Sequence, residues 1–170
     1  GSMTAVIGFD RSELETLVND TEGVVIANDN SDAQVVLSGS PDAVNSISDA
    51  VSCKRAIPLA VSGAFHSPFM AEAADAFSDH LNDLSFKDAR FPVLSNTDPS
   101  PSCDAEELMQ RLRRQMITGV RWRETMAGMT SAGVETLVEI GPGNVLSGLA
   151  KRAMKGITTA QLASAGDLGL

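Results

Sequence analysis

Apolar and polar positions alternate between two periods along the first sixty residues. TAVIGF (4–9) is short and apolar and predicts a strand. After it, Leu14, Leu17 and Val18 share one helical face, and Ser12 and Glu15 stand at capping-box spacing. GVVIAN (23–28) predicts a second strand. The succession then returns: QVVLSG (34–39) reads as a strand, Ser40 and Pro41 supply an N-cap with proline in the first helical position, and Val44, Ile47 and Val51 recur at i, i+3 and i+7. KRAIPLAVS (54–62) closes the unit as a strand, and NDNSDA (28–33) links its halves. The order is βαββαβ, a ferredoxin-like arrangement over 4–62.

Beyond residue 62 the pattern changes. Residues 68–83 predict a helix with proline in its first turn and Phe69, Ala73, Ala76, Phe77 and Leu81 at helical spacing. FPVLSN (91–96) predicts a strand, and TDPSPSC (97–103) a loop broken by Pro99 and Pro101. Helices are expected over 104–117, with Leu108, Leu112 and Met116 on one stripe, and over 121–132. ETLVEI (135–140) is nearly all apolar, which suits a central parallel strand. Gly141-Pro142-Gly143 turns the chain into a helix over 144–155, and the last fifteen residues are weakly patterned. Helices outnumber strands here, as in an α/β layer short of strand neighbours.

Composition narrows the function. The chain has 170 residues, 43% of them hydrophobic, which suits one compact domain or two small subdomains. Its formal net charge of -9 argues against a nucleic-acid surface. No apolar run is long enough for a spanning helix. Gly1-Ser2-Met3 has the look of a cleaved expression tag, to be set aside from the fold. Cys53, placed late in a helix, and Cys103 lack metal-ligand spacing, so no metal is expected and both read as reduced thiols.

Only two histidines occur. His80 falls mid-helix among Asp79, Asn82 and Asp83 and reads as a solvated surface residue. His66, in GAFHSPF (63–69), stands at a strand-to-helix junction, where a histidine either does proton chemistry or simply satisfies a hydrogen bond. Its neighbour Ser67 is poorly placed as a nucleophile, because adjacent side chains point apart. No serine here has glycines two before and two after it, so no Gly-x-Ser-x-Gly elbow is present.

The stretches NDNSDAQVVLSG, KRAIPLAVSGAFHSPFM and VEIGPGNVLSGLAKR resemble, in order, the malonyl-CoA:acyl carrier protein transacylase family. The resemblance implies an α/β fold with an α+β insert: a ferredoxin-like subdomain at 4–62, then the C-terminal part of an α/β hydrolase-like acyltransferase subdomain at 63–170. It implies that His66 is the catalytic base of a ping-pong malonyl transfer, acting on a serine outside this chain. The backbone carbonyl of Arg121 is expected to orient the imidazole. Phe65 resembles the bulky residue of malonyl-selective members, though it serves equally as a core phenylalanine. Asn28 and Asn30 match an N-x-N loop beside the acyl and pantetheine channel, and serve equally as turn residues. GPGN reads as a structural turn more than as an anion nest.

The acceptor implied is acyl carrier protein, whose acidity suits basic patches. Lys151 and Arg152, with Lys155, form one. Arg111, Arg113, Arg114, Arg121 and Arg123 form another, although single members read as solvated helix faces. The remaining expectations are a cytoplasmic monomer with no cofactor beyond malonyl-CoA and the acceptor's phosphopantetheine. Two alternatives stand beside this one: an acyltransferase domain of a polyketide synthase, and a non-catalytic ferredoxin-like binding module.

Overall fold

The computed structural model describes residues 1–168. The chain divides into two compact units, Gly1–Trp122 and Arg123–Leu170.

The first unit opens with β1 (Ser2–Phe9), α1 (Arg11–Asn19), β2 (Val24–Ser31), β3 (Gln34–Gly39), α2 (Pro41–Ala50) and β4 (Cys53–Pro58). The four strands make one antiparallel sheet in the order β2-β3-β1-β4. Alternation along the strands gives the sheet two apolar faces. Val6, Val35 and Leu37 pack with Leu14 of α1 and Val44 and Ile47 of α2. Met3, Ala5, Ala27 and Val36 cluster together in a second buried group.

Several local expectations need correction. β1 begins at Ser2, and Met3 is buried and paired with Ser38, so residues set aside as a tag form part of the sheet. The cap of α1 is Asp10, whose carboxylate accepts from the Glu13 amide at 2.9 Å, one turn ahead of the expected Ser12–Glu15 box. The cap at Ser40 holds, its hydroxyl accepting from the Ala43 amide at 3.3 Å. Cys53 starts β4 opposite Phe9 instead of ending a helix. β4 stops at Pro58, and 59–67 are bends and turns.

A single 3₁₀ turn (Pro68–Met70) leads into α3 (Ala71–Asn82). β5 (Val93–Ser95) pairs with β6 (Asp98–Ser102), the segment expected as a loop. Two prolines are tolerated there because β6 is an edge strand that need not donate at every position. α4 (Ala105–Arg114) follows, capped by the Asp104 carboxylate on the Glu107 amide at 2.7 Å.

α5 (Trp122–Ser131) spans the boundary between the units. In the second unit, β7 (Thr136–Ile140) pairs in parallel with β8 (Thr158–Leu162), and α6 (Val145–Ala153) connects them, a βαβ crossover. β8 and a final 3₁₀ turn (Ala165–Leu168) fall in the weakly patterned tail. Among the described residues no helix is long and apolar enough to cross a membrane.

Candidate active site

His66 has φ +57°, the only positive φ outside glycine among the described residues. The left-handed region costs a side-chain-bearing residue about 1–2 kcal/mol, so something must hold it. Ser67 does. Its fully buried hydroxyl donates to the Ala64 carbonyl at 2.6 Å and accepts from the Phe69 amide at 3.3 Å, capping the 3₁₀ turn. Ser67 is therefore a structural residue.

The imidazole is fixed from the other side. Nδ1 lies 2.7 Å from the Gln115 carbonyl oxygen. A carbonyl can only accept, so Nδ1 carries the proton of this bond and, in the neutral ring, Nε2 is the acceptor. Gln115 is the C-cap of α4, where the final carbonyls have no partner within the helix. The ring satisfies one of them. This replaces the expected role of Arg121, whose own amide donates to the Asn96 carbonyl at 2.8 Å. The helix expected over 104–117 ends at Arg114, and Gln115 at its end supplies the carbonyl that the resemblance placed at Arg121.

Phe65, His66, Met70, Phe77, Gln115 and Met116 enclose a cavity of about 280 Å³. Phe65 is 41% exposed, so it is a wall of this space more than a core residue. Phe77 and Met116 are expected only as apolar helix positions, and Met70 is not singled out by the sequence. A larger cavity of about 350 Å³ is lined by Phe86, Val93, Leu108, Arg111 and Leu112 among others; it shares Gln115 but contains no histidine.

Asn28 and Asn30 are brought near this segment but do not line the His66 cavity. They lie within β2, not in a loop, because the strand continues to Ser31 through two register shifts. Bulges of this kind re-aim side chains. Val120 forms a parallel bridge to Asn28: its amide donates to the Ala27 carbonyl and its carbonyl accepts from the Asp29 amide, both at 2.8 Å. Gly119 allows that approach, since a Cβ there would lie 2.8 Å from the Ile26 carbonyl oxygen.

The expected arginine patch is partly structural. Arg111 is only 2% exposed. Its guanidinium donates to the Ser100 carbonyl at 2.6 Å and to the Glu107 carboxylate, and lies 3.5 Å from Asp98. Arg113 donates to the Ser78 carbonyl at 3.0 Å and to Asn82 at 2.8 Å, tying α4 to α3. The Ser100 amide and hydroxyl, helped by Arg111 and Arg121, hold the Asp98 carboxyl below its ordinary range. The Ser102 hydroxyl and then Arg111 do the same for Glu107.

In the second unit Lys151 and Arg152 occupy the last turn of α6, both exposed. Gly141 and Gly143 turn the backbone with φ +129° and +93°. The Glu139 carboxylate folds back onto the α6 N-terminus, accepting from the Leu146 and Ser147 amides at 3.1 and 2.8 Å. The anion at this helix end is thus the chain's own carboxylate, and GPGN works as a turn.

Fold and site together define an α/β protein carrying a histidine anchored through Nδ1 on a backbone carbonyl beside an apolar cavity. The acyl transferase domain family model matches residues 1–168, and the chain belongs to that family. It is 44% identical over 168 residues to a malonyl CoA-acyl carrier protein transacylase of Synechocystis sp., covering 99% of this chain and 57% of the relative. A Bacillus subtilis protein of the same name is 37% identical, with 94% and 52% covered. Among solved structures, the Synechocystis malonyl-CoA:ACP transacylase superposes with TM-score 0.95 over 99% of this chain and 58% of its own, at 44% identity. A malonyl-transacylase in complex with its type II PKS acyl-carrier protein gives 0.91 at 36% identity, with 98% and 56% covered. The chain thus spans a little over half the length of the relatives it matches.

Proposed function

We propose that this chain supplies the base-carrying part of a malonyl-CoA:acyl carrier protein transacylase. The observation that carries the reading is the His66 ring, anchored through Nδ1 on a helix-end carbonyl with Nε2 left as acceptor, in a chain of the acyl transferase family. In this reading residues 4–62 are a ferredoxin-like subdomain, supported by the sheet order β2-β3-β1-β4, and residues 63–170 belong to an α/β hydrolase-like subdomain.

In this reading His66 acts in both half-reactions. Nε2 takes the proton of a serine outside these residues as its oxygen attacks the malonyl thioester carbonyl. The carbon–sulfur bond breaks, and the proton passes from Nε2 to the departing coenzyme A thiolate. In the return half, Nε2 takes the proton of the carrier protein's pantetheine thiol. That sulfur attacks the malonyl ester, and the serine oxygen recovers a proton from the ring. The Gln115 carbonyl keeps the tautomer fixed through both halves. Phe65 limits the space beside the acyl group, Asn28 and Asn30 face the channel, and Lys151 and Arg152 attract the acidic carrier in the cytoplasm.

Intact-mass spectrometry tests the reading. The 170-residue chain incubated with malonyl-CoA is expected to gain no malonyl group. Joined to the part of the Synechocystis relative that it does not span, it is expected to be acylated on a serine of that part. His66→Ala in the joined protein slows acylation by about 10²–10⁴. A malonyl adduct on Ser67 of the isolated chain, or acylation indifferent to His66, defeats the proposal.

A further inference from the structure

The Gln115 carbonyl can hold the His66 ring only if the end of α4 is itself held. Gln115 lies between two attachments to the β5–β6 hairpin. On one side, one turn back along α4, the buried Arg111 reaches the Ser100 and Asp98 carbonyls at 2.6 and 3.4 Å. On the other, the Arg121 amide donates to the Asn96 carbonyl at 2.8 Å. The second attachment is backbone to backbone and indifferent to sequence. The first depends on one side chain. Arg111 also bonds Glu107 on its own helix, so the planar fork joins helix and hairpin in one rigid contact.

We propose that Arg111 is a positioning residue for His66: it clamps the last turn of α4 to the β5–β6 hairpin and so sets the Gln115 carbonyl against Nδ1. Arg111 is absent from the cavity that His66 lines, and its two terminal guanidinium nitrogens donate to Ser100, Asp98 and Glu107. Its influence passes through the backbone of α4. Lysine does not replace it, because a single ammonium cannot bond Ser100 and Glu107 with the geometry of the fork. The functional meaning rests on the proposed acyl transfer, but the geometry does not.

The test reads the ring and not turnover, so its failure is distinguishable from failure of the transacylase reading. The 170-residue chain, labelled with ¹⁵N at histidine, is examined by long-range ¹H–¹⁵N correlation at a pH where imidazole is neutral. His80, exposed on α3, serves as the internal control. The native chain is expected to show His66 mainly as the Nδ1–H tautomer. In Arg111→Met the Nδ1–H to Nε2–H ratio of His66 falls about fivefold or more, the worth of one ordinary hydrogen bond. The His80 ratio stays unchanged. An unaltered His66 ratio in a folded Arg111→Met chain overturns the proposal, as does an equal shift at His80. If the methionine variant fails to fold, Arg111→Lys keeps the charge beside Asp98 and Glu107 and is read the same way. A His66 ratio equal to the native one in that variant overturns the proposal too.

Discussion

Replacing Ser67 by alanine asks whether one hydroxyl holds the turn that presents His66. The side chain is fully buried, and so is Ala64, whose carbonyl receives its proton at 2.6 Å. A buried carbonyl that loses its donor costs about 1–3 kcal/mol. The second bond, from the Phe69 amide at 3.3 Å, is long and lies at the weak end of the range. As a cap of a single 3₁₀ turn it adds at most about 1 kcal/mol. Only one oxygen is removed, so the packing loss is small. The expected destabilisation is about 2 kcal/mol, the sum of those two terms. With a urea slope of about 1–3 kcal/mol per molar, the midpoint moves down by on the order of 1 M. Urea unfolding followed by circular dichroism measures it. Amide exchange at Phe69 and Met70, whose amides depend on this turn, should accelerate most. The His66 amide signal should also move, since a left-handed residue relaxes when its surroundings no longer impose it. A loss below about 0.5 kcal/mol, the range of ordinary surface substitutions, would refute the assignment.

Two further predictions concern acid sensitivity and selectivity. The facing Ser147 hydroxyl, the Ser147 amide and then the Leu146 amide hold the Glu139 carboxyl below its ordinary 4.5; its depressed value means the α6 cap is fully present above about pH 4.5 and is lost as pH falls through the folded-state value. Amide exchange at Leu146 and Ser147 should therefore rise in acid beyond the intrinsic trend, and Glu139→Gln should abolish that dependence; a pH response that survives the substitution would assign the effect elsewhere. In an active enzyme containing this chain, Phe65→Ser should raise the kcat/KM for methylmalonyl-CoA relative to malonyl-CoA by about 10- to 200-fold, the worth of one methyl group in a tight site; an unchanged ratio removes Phe65 as selector.

The βαββαβ order was legible because its strands and helices each bury one periodic face. Leu14, Val44 and Ile47 stand in the core where their spacing put them. Errors gathered where the backbone, not the side-chain pattern, decides. β2 runs on through Asn28, Asp29 and Asn30, polar residues that read as a link, because its ladder to β3 absorbs two register shifts. β6 forms through two prolines because an edge can spare donors. The run ETLVEI, expected as a central parallel strand, does pair in parallel with β8, though Val138 is 46% and Ile140 79% exposed in a layer short of strand neighbours. Burial of an arginine is equally hard to foresee, since Arg111 is stabilised by carbonyls of a hairpin that the sequence showed as a loop.

The site divides along the same line. His66 stood out as a candidate because an imidazole carries its chemistry in the side chain, and Phe65 was named through the family resemblance. The group that orients His66 could not, since every residue has a carbonyl and what matters is which one the fold leaves unpaired. A helix end is where such carbonyls occur, so the orienting residue depends on where α4 stops, a boundary uncertain by a few residues in any reading of periodicity. The resemblance placed the acceptor at Arg121, in the loop before α5, whereas the carbonyl that meets Nδ1 is that of Gln115 at the end of α4. The same dependence makes the helix end a sensitive place to perturb. A change that lengthens α4 by a turn, such as Ile117, Thr118 and Gly119 all to alanine, would draw the Gln115 carbonyl into an intrahelical bond and compete with Nδ1. The alanine at 119 would also press its Cβ toward the Ile26 carbonyl, which opposes the extension. Gly119 thus favours the end of the helix as well as the docking of Val120 on β2, and both place the same carbonyl beside the ring.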